Sequence, residues 1–392
     1  MKQLFLSRLP FDVGYCAERS IVFPRFLPFT LQVDEETGLI TQVPDQETKS
    51  ALRKYYEQGG YGSTPLGEGE FASKQADQVY LILEQALEKA DKTIQGSSFI
   101  EIGCAYGYLL HLLGKAGAKS ILGVEPGKEG ISGSEKYHIP MLRDFFPSDQ
   151  IIEKYDVALT HLVLEHVEQP EVFIQEMKRI LAPDGLAFFA VPDCEKKLRI
   201  GDPSIISHQH LNYFTKSSLT NILEAAGFSE VEVISSDERS MLYAWGSNKD
   251  AKKSENLVQA DGLEIFESFQ QNLKKNLSGL QALIDVFENN GKTIGMYAGS
   301  DVLIGSLEFK VEPRLFDTDA AKQGKFMSCS AQPVEPPQNL LSDPVDVIFV
   351  CAIDYDREIT SFLEGLGGKM RIISVKKIFE ENSEIKYLIG SK

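Results

Sequence analysis

The chain has 392 residues, of which 43% are hydrophobic and 10% aromatic, so it is long enough for two or three domains with cores of their own. Its net charge of −17 argues against nucleic acid or an anionic membrane surface as a partner. There is no apolar segment of membrane-spanning length, no signal-peptide pattern and no C-x-x-C pair among the five scattered cysteines. We therefore expect a cytoplasmic protein without a disulfide framework or a structural metal.

The first part of the chain predicts a cap or lid region over residues 1–72. Prolines and phenylalanines dominate the first 45 residues, which favours short, irregular strands packed on a neighbouring domain. A helix is predicted over 46–58, a glycine-rich loop over 59–65 and a long amphipathic helix over 72–92. The tyrosines Tyr55, Tyr56 and Tyr61 are either ordinary core or surface aromatics or a lid over the cofactor, and Tyr61 is a candidate substrate contact.

The segment from Ser98 to Leu113 reads as a strand, a tight turn and a helix. The turn contains Gly103, Ala105 and Gly107, whose small side chains let a ligand approach the backbone. A dinucleotide site needs G-x-G-x-x-G, and this turn lacks that spacing. It also follows Glu101, an acid that would repel a pyrophosphate and attract a cation. An ordinary turn of another α/β domain is the alternative.

A second strand, from Ser120 to Val124, also ends in an acid. Glu125 follows it, and a carboxylate at that place can accept both hydroxyls of a ribose. S-adenosylmethionine, which carries an ammonium, a sulfonium and no phosphate, suits a turn that tolerates cations beside a ribose-binding acid.

Strands and helices continue to alternate through residue 246, which predicts an α/β domain with a mainly parallel sheet over 73–246. Further strands are expected over 139–142, 157–161 and 187–191, and two antiparallel strands over 231–234 and 241–244 close the sheet. The pair Glu165-His166 follows the fourth strand. It is either catalytic or, as we favour, structural, so that it caps the next helix and orients the loop.

The remainder predicts a linker and connecting helix over 247–291 and a second, smaller α/β domain over 292–392. The turn between Gly295 and Gly299 of that domain could bind a nucleotide. We favour instead a role in docking or in forming the substrate cleft.

These motifs together resemble the class I S-adenosylmethionine-dependent methyltransferases. The resemblance rests on Glu101-x-Gly103-x-x-x-Gly107, on Glu125, on the segment from Tyr155 to Val167, and on Pro183-Asp184-Gly185. It implies a Rossmann-like fold and S-adenosylmethionine as the cofactor. The cofactor contacts that it implies are Glu101, Gly103, Ala105, Gly107, Glu125, Pro126, Asp144, Phe145, His161 and Leu162. Ala105 stands where the family has its central glycine.

Two of the six histidines, His208 and His210, lie in a loop after the fifth strand. A histidine in a cleft titrates near neutral pH and can move protons. A metal site is less favoured, because no Cys or acidic residue stands at ligand spacing. A hydrogen-bonded structural histidine is the third possibility.

The same loop extends the resemblance to the sugar-nucleotide C-methyltransferases, which form branched deoxysugars on a nucleoside diphosphate. The matching segment runs from His208 to Phe228, although Ser207 and Gln209 replace the Tyr and Glu of the family. The family also has a Rossmann-like C-terminal domain, and it begins with a cysteine-ligated zinc module, for which only Cys16 is present here. The resemblance implies His210 as the base, with His208 and Tyr213 orienting it or the substrate.

The loop that follows the fifth strand carries three cations. Lys196, Lys197 and Arg199 are candidates for holding a substrate diphosphate, or they form a solvated basic loop. The alternative functions are an O- or N-methyltransferase for another small metabolite, a catalytically silent nucleotide-binding or scaffold protein, and a dinucleotide-dependent oxidoreductase.

Overall fold

A seven-stranded sheet, here called the central sheet, organises the chain in the computed structural model. The structure describes residues 2–11, 15–16, 23–57, 70–236, 240–249 and 260–381. The strands of the central sheet lie in the spatial order Ser229–Ser236, Met241–Ser247, Leu181–Pro192, Tyr155–His161, Ser98–Ile102, Ser120–Val124 and Met141–Leu142. Only Met241–Ser247 runs against its neighbours. The prediction of a Rossmann-like α/β fold is confirmed, including the antiparallel closure.

Helices cover both faces of the central sheet, because its parallel strands are apolar on both sides. One face packs against Pro170–Arg179 and Lys216–Ala225. The other face packs against Glu70–Lys89 and Tyr108–Lys115. Thr215 caps the helix Lys216–Ala225 in a capping box with Ser218.

The N-terminal residues form a second sheet, here called the cap sheet. Its four antiparallel strands are Gln3–Pro10, Phe26–Val33, Ile40–Gln42 and Asn212–Tyr213, in that spatial order. Two of these strands have eight residues, so the prediction of an irregular region is wrong. Pro28 does not break its strand. It lies where the pairing register shifts between Leu6 and Leu9, so the strand does not need a hydrogen bond from a backbone N–H at this position.

Five parallel strands form the C-terminal sheet, as expected for a second α/β unit. Their spatial order is Val334–Glu335, Arg314–Phe316, Ile294–Tyr297, Val347–Val350 and Arg371–Ser374. A further antiparallel pair, Tyr15–Cys16 with Phe326–Met327, connects the N-terminal segment to this part of the chain.

The long helix Gly262–Asn289 connects the parts of the molecule. Its first half packs against the cap sheet through Phe266 and Phe269, and its second half packs against the C-terminal sheet through Leu283 and Phe287. The other helices are Gln46–Glu57, Lys128–Tyr137, Glu195–Ile200, Asp301–Gly305, Asn339–Ser342, Asp356–Leu366 and Val375–Glu381. Short 3-10 turns occur at Leu164–His166, Pro203–Ile205 and Ile353–Tyr355. Among the helices in the described ranges, none is both long and apolar enough to cross a membrane.

Candidate active site

The turn Gly103–Gly107, here called the cofactor turn, lies at the carboxyl edge of the central sheet, where ligands of such folds bind. Gly103, Ala105 and Gly107 have φ angles of +70°, +46° and +70°. A Cβ atom on Gly103 would lie 2.4 Å from Cγ2 of Val163, so this position also needs glycine for space. Ala105 adopts a left-handed conformation, which glycine, the residue of the resembled family at this position, can adopt without steric cost.

Glu125 holds the cofactor turn from the neighbouring strand end. Its Oε2 accepts a hydrogen bond from the Ala105 N–H at 3.1 Å, and its Oε1 accepts one from the Gly127 N–H at 2.7 Å. Burial raises the pKa of Glu125, and the two backbone hydrogen bonds oppose that rise. Each carboxylate oxygen keeps a second lone pair for a ligand hydroxyl.

Glu101 is a buried carboxyl group that lacks a full set of partners. The residue is 2% exposed, and its Oε2 has no hydrogen-bond partner in the described part of the chain. Burial, as the main cause, and repulsion from Glu125 together raise the pKa of Glu101 to about 8. A ligand ammonium would supply the missing partner, because an opposite charge favours the ionised carboxylate.

The other predicted cofactor contacts lie along the same edge. Asp144 accepts hydrogen bonds from Ser148 Oγ at 2.5 Å and Gln150 Nε2 at 2.9 Å, which lower its pKa, while Phe145 is 72% exposed. His161 ends its strand and lies 3.4 Å from Gln75 Nε2, and burial lowers its pKa to about 4. Leu162 follows with a φ of +55°. Pro126 is half-buried after Glu125.

The segment Ser207–Leu211, here called the histidine loop, points its two histidines at different surroundings. His208 is fully buried between the rings of Phe11 and Phe29, with its Nε2 3.4 Å from the Leu9 oxygen. Burial lowers its pKa to about 4. The Gln209 side chain donates to the Phe11 oxygen at 2.9 Å. His208 and Gln209 thus fasten the loop to the N-terminal region.

His210 instead lies beside Glu165 and His166, and we call these three residues the Glu-His-His cluster. The rings of His166 and His210 are 5.0 Å apart, and the Glu165 Oε1 lies 3.8 Å from the His166 Nε2. Burial, followed by repulsion from His166, lowers the pKa of His210 to about 3. Burial also lowers the pKa of His166 and raises that of Glu165 to about 8. All three groups are therefore largely uncharged at neutral pH.

The turn Leu164–His166 is not a cap of the following helix, and this part of the sequence interpretation is wrong. The N-cap of the helix Pro170–Arg179 is Gln169, and Glu165 is 1% exposed and directed inward. Main-chain and amide hydrogen bonds join the turn to the histidine loop and to Asn212, which follows it. The Glu-His pair that follows a central strand was the sequence signal for a functional role of this turn. Its proximity to His210 depends on the tertiary fold, so it could not be predicted from the sequence.

The tyrosines that the sequence analysis singled out have different surroundings. Tyr213 is fully buried, and its hydroxyl donates to the Ser207 oxygen at 3.1 Å, so it shapes the loop from within. Tyr56 has its hydroxyl 3.5 Å from the His166 Nδ1, whereas Tyr55 packs in the apolar cluster of Phe11. Tyr61 lies outside the described residues.

The predicted diphosphate-binding cations are mostly engaged elsewhere. Lys197 pairs with Asp354 at 2.9 Å, and Arg199 pairs with Glu195, Asp261 and Glu264 at 2.8–3.1 Å. These carboxylates already compensate both charges, which removes the physical support for a phosphate role of Lys197 and Arg199. Lys196 is exposed and forms no ion pair with another described residue.

A cavity of about 280 Å³ lies next to the Glu-His-His cluster, between the histidine loop and the C-terminal sheet. Its walls come from both sides, and its lining residues are Tyr15, Ser204, Ile205, Ile206, Ser207, His210, Gly299, Ser300, Asp301 and Val302. Gly299–Val302 begin just after the strand Ile294–Tyr297. The C-terminal part thus contributes one wall of this cavity, although sequence reasoning did not single out Ser300 and Asp301.

Two protein-family models match this chain. Residues 73–233 match a methyltransferase domain, and residues 246–373 match a C-methyltransferase C-terminal domain. Together with the fold, these matches identify the chain as a class I S-adenosylmethionine-dependent methyltransferase. Its cofactor is S-adenosylmethionine, and the unpartnered Glu101 beside the cofactor turn fits the ammonium group of that molecule.

Individual proteins also resemble this chain. The chain is 24% identical over 302 residues to the C-methyltransferase NovU of Streptomyces niveus, covering 69% of this chain and 71% of that protein. It is 27% identical over 164 residues to the tRNA U34 carboxymethyltransferase of Hydrogenovibrio crunogenus, covering 38% and 49%. Among solved structures, the N-methyltransferase NodS of Bradyrhizobium japonicum, in complex with S-adenosyl-L-homocysteine, is 21% identical with a TM-score of 0.35, covering 47% and 90%.

Proposed function

We propose that this methyltransferase methylates a carbon atom of a sugar carried on a nucleoside diphosphate, after His210 has removed a proton from that carbon. The observation that carries the proposal is the position of His210. It is a neutral imidazole in the wall of a cavity that a C-methyltransferase C-terminal domain completes. The similarity to NovU supports the same reaction type.

The cofactor would bind along the carboxyl edge of the central sheet. Glu101 would pair with the ammonium, and Glu125 would accept the ribose hydroxyls on its remaining lone pairs. Asp144 and Phe145 would contact the adenine. Gly103, Ala105 and Gly107 would admit the molecule, while Pro126, His161 and Leu162 line its path.

When bound, S-adenosylmethionine supplies an electrophilic methyl group. His210 would accept the proton of a C–H bond that a neighbouring carbonyl makes acidic. The electron pair of that bond would form the new bond from carbon to the methyl group, and the departing S-adenosylhomocysteine would keep the electron pair of the broken sulfur–methyl bond. Holding donor and acceptor in line supplies much of the catalysis in such a transfer.

Burial keeps the imidazole of His210 uncharged, so its lone pair is free to accept a proton. The low pKa of about 3 leaves the imidazole unprotonated throughout the neutral range. His208 and Tyr213 would act as positioning residues, because their side chains hold the histidine loop through the oxygens of Leu9 and Ser207. The ring of Tyr213 also lies 6.4 Å from the ring of His210.

The acceptor sugar would occupy the cavity, where Ser207, Ser300 and Asp301 offer hydrogen bonds. Of the three cations considered for the diphosphate, only Lys196 remains a candidate. We also propose the domain division 1–72, 73–246, 247–291 and 292–392, which agrees with matches that end at 233 and begin at 246.

Hydrogen exchange tests this proposal. Nucleoside-diphosphate keto-deoxysugars are incubated with the full chain and S-adenosylhomocysteine in D₂O, and deuterium at carbon is followed by NMR and mass spectrometry. We expect exchange at one carbon and, with S-adenosylmethionine, a methyl group on that carbon. A product methylated on oxygen or nitrogen, without exchange at carbon, would favour the O- or N-methyltransferase alternative and reject the proposal.

A further inference from the structure

The Glu-His-His cluster has the composition of a metal site. Its three side chains come from two separate segments, the turn Leu164–His166 and the histidine loop. One oxygen of Glu165 and one ring nitrogen each of His166 and His210 lie within 4.8 Å of one another. Two imidazoles and one carboxylate form a ligand set that suits zinc, cobalt, nickel and iron ions.

His166 is already oriented as metal-bound histidines are. Its Nδ1 donates a hydrogen bond to the main-chain oxygen of Gln209 at 2.7 Å. This bond fixes the tautomer, so the Nε2 carries the free lone pair and faces Glu165. Histidine ligands of metals usually donate their other N–H to a backbone carbonyl or a carboxylate in this way.

Glu165 supplies an independent observation. The residue is 1% exposed, and its Oε2 has no hydrogen-bond partner among the described residues. Among the described residues, no Lys or Arg forms an ion pair with it, and the ring nitrogens of His166 and His210 lie close to it. A buried polar oxygen without a partner is costly, and a bound cation would supply the missing partner.

The distances between the three possible ligand atoms are only slightly longer than those around a bound metal ion. Ligand atoms around a tetrahedral ion with bonds of about 2.0–2.1 Å lie about 3.3 Å apart. The Glu165 Oε1 and the His166 Nε2 are 3.8 Å apart, and no pair in the cluster exceeds 4.8 Å. Side-chain movements of a few tenths of an ångström to about 1.5 Å would bring the ligand atoms to the distances of a tetrahedral site.

We propose that Glu165, His166 and His210 bind one divalent transition-metal ion of the zinc and cobalt class, and that this ion takes the lone pair that His210 needs as a base. Metal occupation would therefore inhibit methyl transfer. This second half rests on the proposed function, whereas the binding itself does not. Magnesium and calcium are disfavoured, because they prefer oxygen ligands.

Binding is measured on the full-length chain after dialysis against a chelator. Cobalt(II) is titrated in, and the visible absorption of a low-symmetry site reports occupation, while competition with a chromophoric chelator gives the affinity. We expect one equivalent of cobalt, displaced by zinc. Glu165→Gln, His166→Asn and His210→Asn should each weaken binding by at least about 10–100-fold, the loss caused even by changes in groups behind the ligands.

His138→Asn is the matched control. His138 is exposed at the end of the helix Lys128–Tyr137, with a φ of +56° that asparagine tolerates. This variant should bind cobalt as the wild type does. Circular dichroism and S-adenosylmethionine affinity report whether each variant folds, and the isosteric Glu165→Gln keeps the test valid if a histidine variant unfolds. Absence of stoichiometric cobalt binding, or full affinity in His210→Asn and Glu165→Gln, would overturn the site.

A methyl-transfer assay separates this inference from the proposed function. With bound zinc we expect the rate to fall in proportion to occupation, and a chelator should restore it. A rate that rises with zinc would leave the site standing and reject the inhibition, together with His210 as the base. Methyl transfer by a chain that binds no metal would reject the site and leave the proposed function intact.

Discussion

The Nδ1 of His166 lies 2.7 Å from the main-chain oxygen of Gln209, so the turn after a central strand and the histidine loop share a hydrogen bond. The side chain of Gln209 continues the connection, since its Nε2 donates to the Phe11 oxygen at 2.9 Å. One residue therefore joins the Glu-His-His cluster to the N-terminal region. The family that this motif resembles has a glutamate at the position.

Gln209→Glu should destabilise this chain. A carboxylate cannot donate to the Phe11 oxygen, and an unsatisfied buried group costs about 1–3 kcal/mol. Burial would also favour the protonated acid, so the loss should be small at pH 5 and grow as the pH rises above the ordinary carboxyl range. Thermal unfolding at several pH values measures it. The exposed Gln271→Glu should change stability by less than about 0.5 kcal/mol. A Gln209→Glu variant as stable as the wild type at pH 8 would contradict the assignment.

Glu125→Ala should weaken S-adenosylmethionine binding by about 1.5–3 kcal/mol, the range for hydrogen bonds to a charged group. The variant loses the predicted ribose contact and also the bonds to the Ala105 and Gly127 N–H groups. Calorimetric titration measures the affinity. The nearby Glu129→Ala, on the helix Lys128–Tyr137, is the control and should bind normally. Equal affinities in the two variants would show that Glu125 does not hold the cofactor.

Gly103→Ala should destabilise the cofactor turn in two separable ways. A left-handed φ of +70° costs alanine about 1–2 kcal/mol, and its Cβ would meet Cγ2 of Val163 at 2.4 Å. Gly291 has a φ of +67° with nothing within 4 Å, so Gly291→Ala measures the backbone cost alone. We expect Gly103→Ala to lose more stability than Gly291→Ala, and Val163→Ala to recover part of the difference. Equal losses of stability in Gly103→Ala and Gly291→Ala would mean that the side chain of Val163 can move aside at no measurable cost.

Sequence patterns predicted the features that depend on neighbours along the chain. Glu101 lies near the end of one predicted strand and Glu125 directly follows the next. Because the alternation of strands and helices predicts parallel strands, which end at one edge of the sheet, the sequence placed both acids together. The side chain of His208 enters the cap region, whereas that of His210 enters the Glu-His-His cluster. A spacing of two residues in a loop does not determine these directions, so the sequence could not predict them. The pairing of Lys197 with Asp354 joins residues far apart in the chain. No local pattern contains that information.

Glu101→Gln should stabilise the cofactor-free chain increasingly as the pH rises. The pKa of Glu101 is about 8 in the folded chain against an ordinary value of 4.5. The folded state therefore holds a proton that the unfolded state releases, and the stability due to this group is lost between pH 4.5 and 8. The uncharged amide avoids this loss. The melting temperature of the variant relative to the wild type should rise from pH 5 to 8 and then level off, while S-adenosylmethionine affinity falls. A difference that does not depend on pH would contradict the raised pKa.

His210→Gln should lower methyl transfer by about 10²–10⁴-fold, the usual cost of removing a general base. Its affinity for S-adenosylmethionine should stay within about twofold of the wild type, because the cofactor contacts that we propose come from other strand ends. His208→Gln provides the comparison from the same loop. It loses the contacts with Phe11 and Phe29 and the bond to the Leu9 oxygen, so we expect a stability loss of about 1–3 kcal/mol instead.

The comparison needs rates per folded molecule. Both variants are assayed at least 10 °C below their melting temperatures, with active concentration determined by S-adenosylmethionine titration. Under these conditions His208→Gln should keep most of its turnover, and His210→Gln should not. A fully active His210→Gln with an inactive His208→Gln would reverse the two roles. Activity in both would move the base to Glu165 or His166, the other members of the cluster.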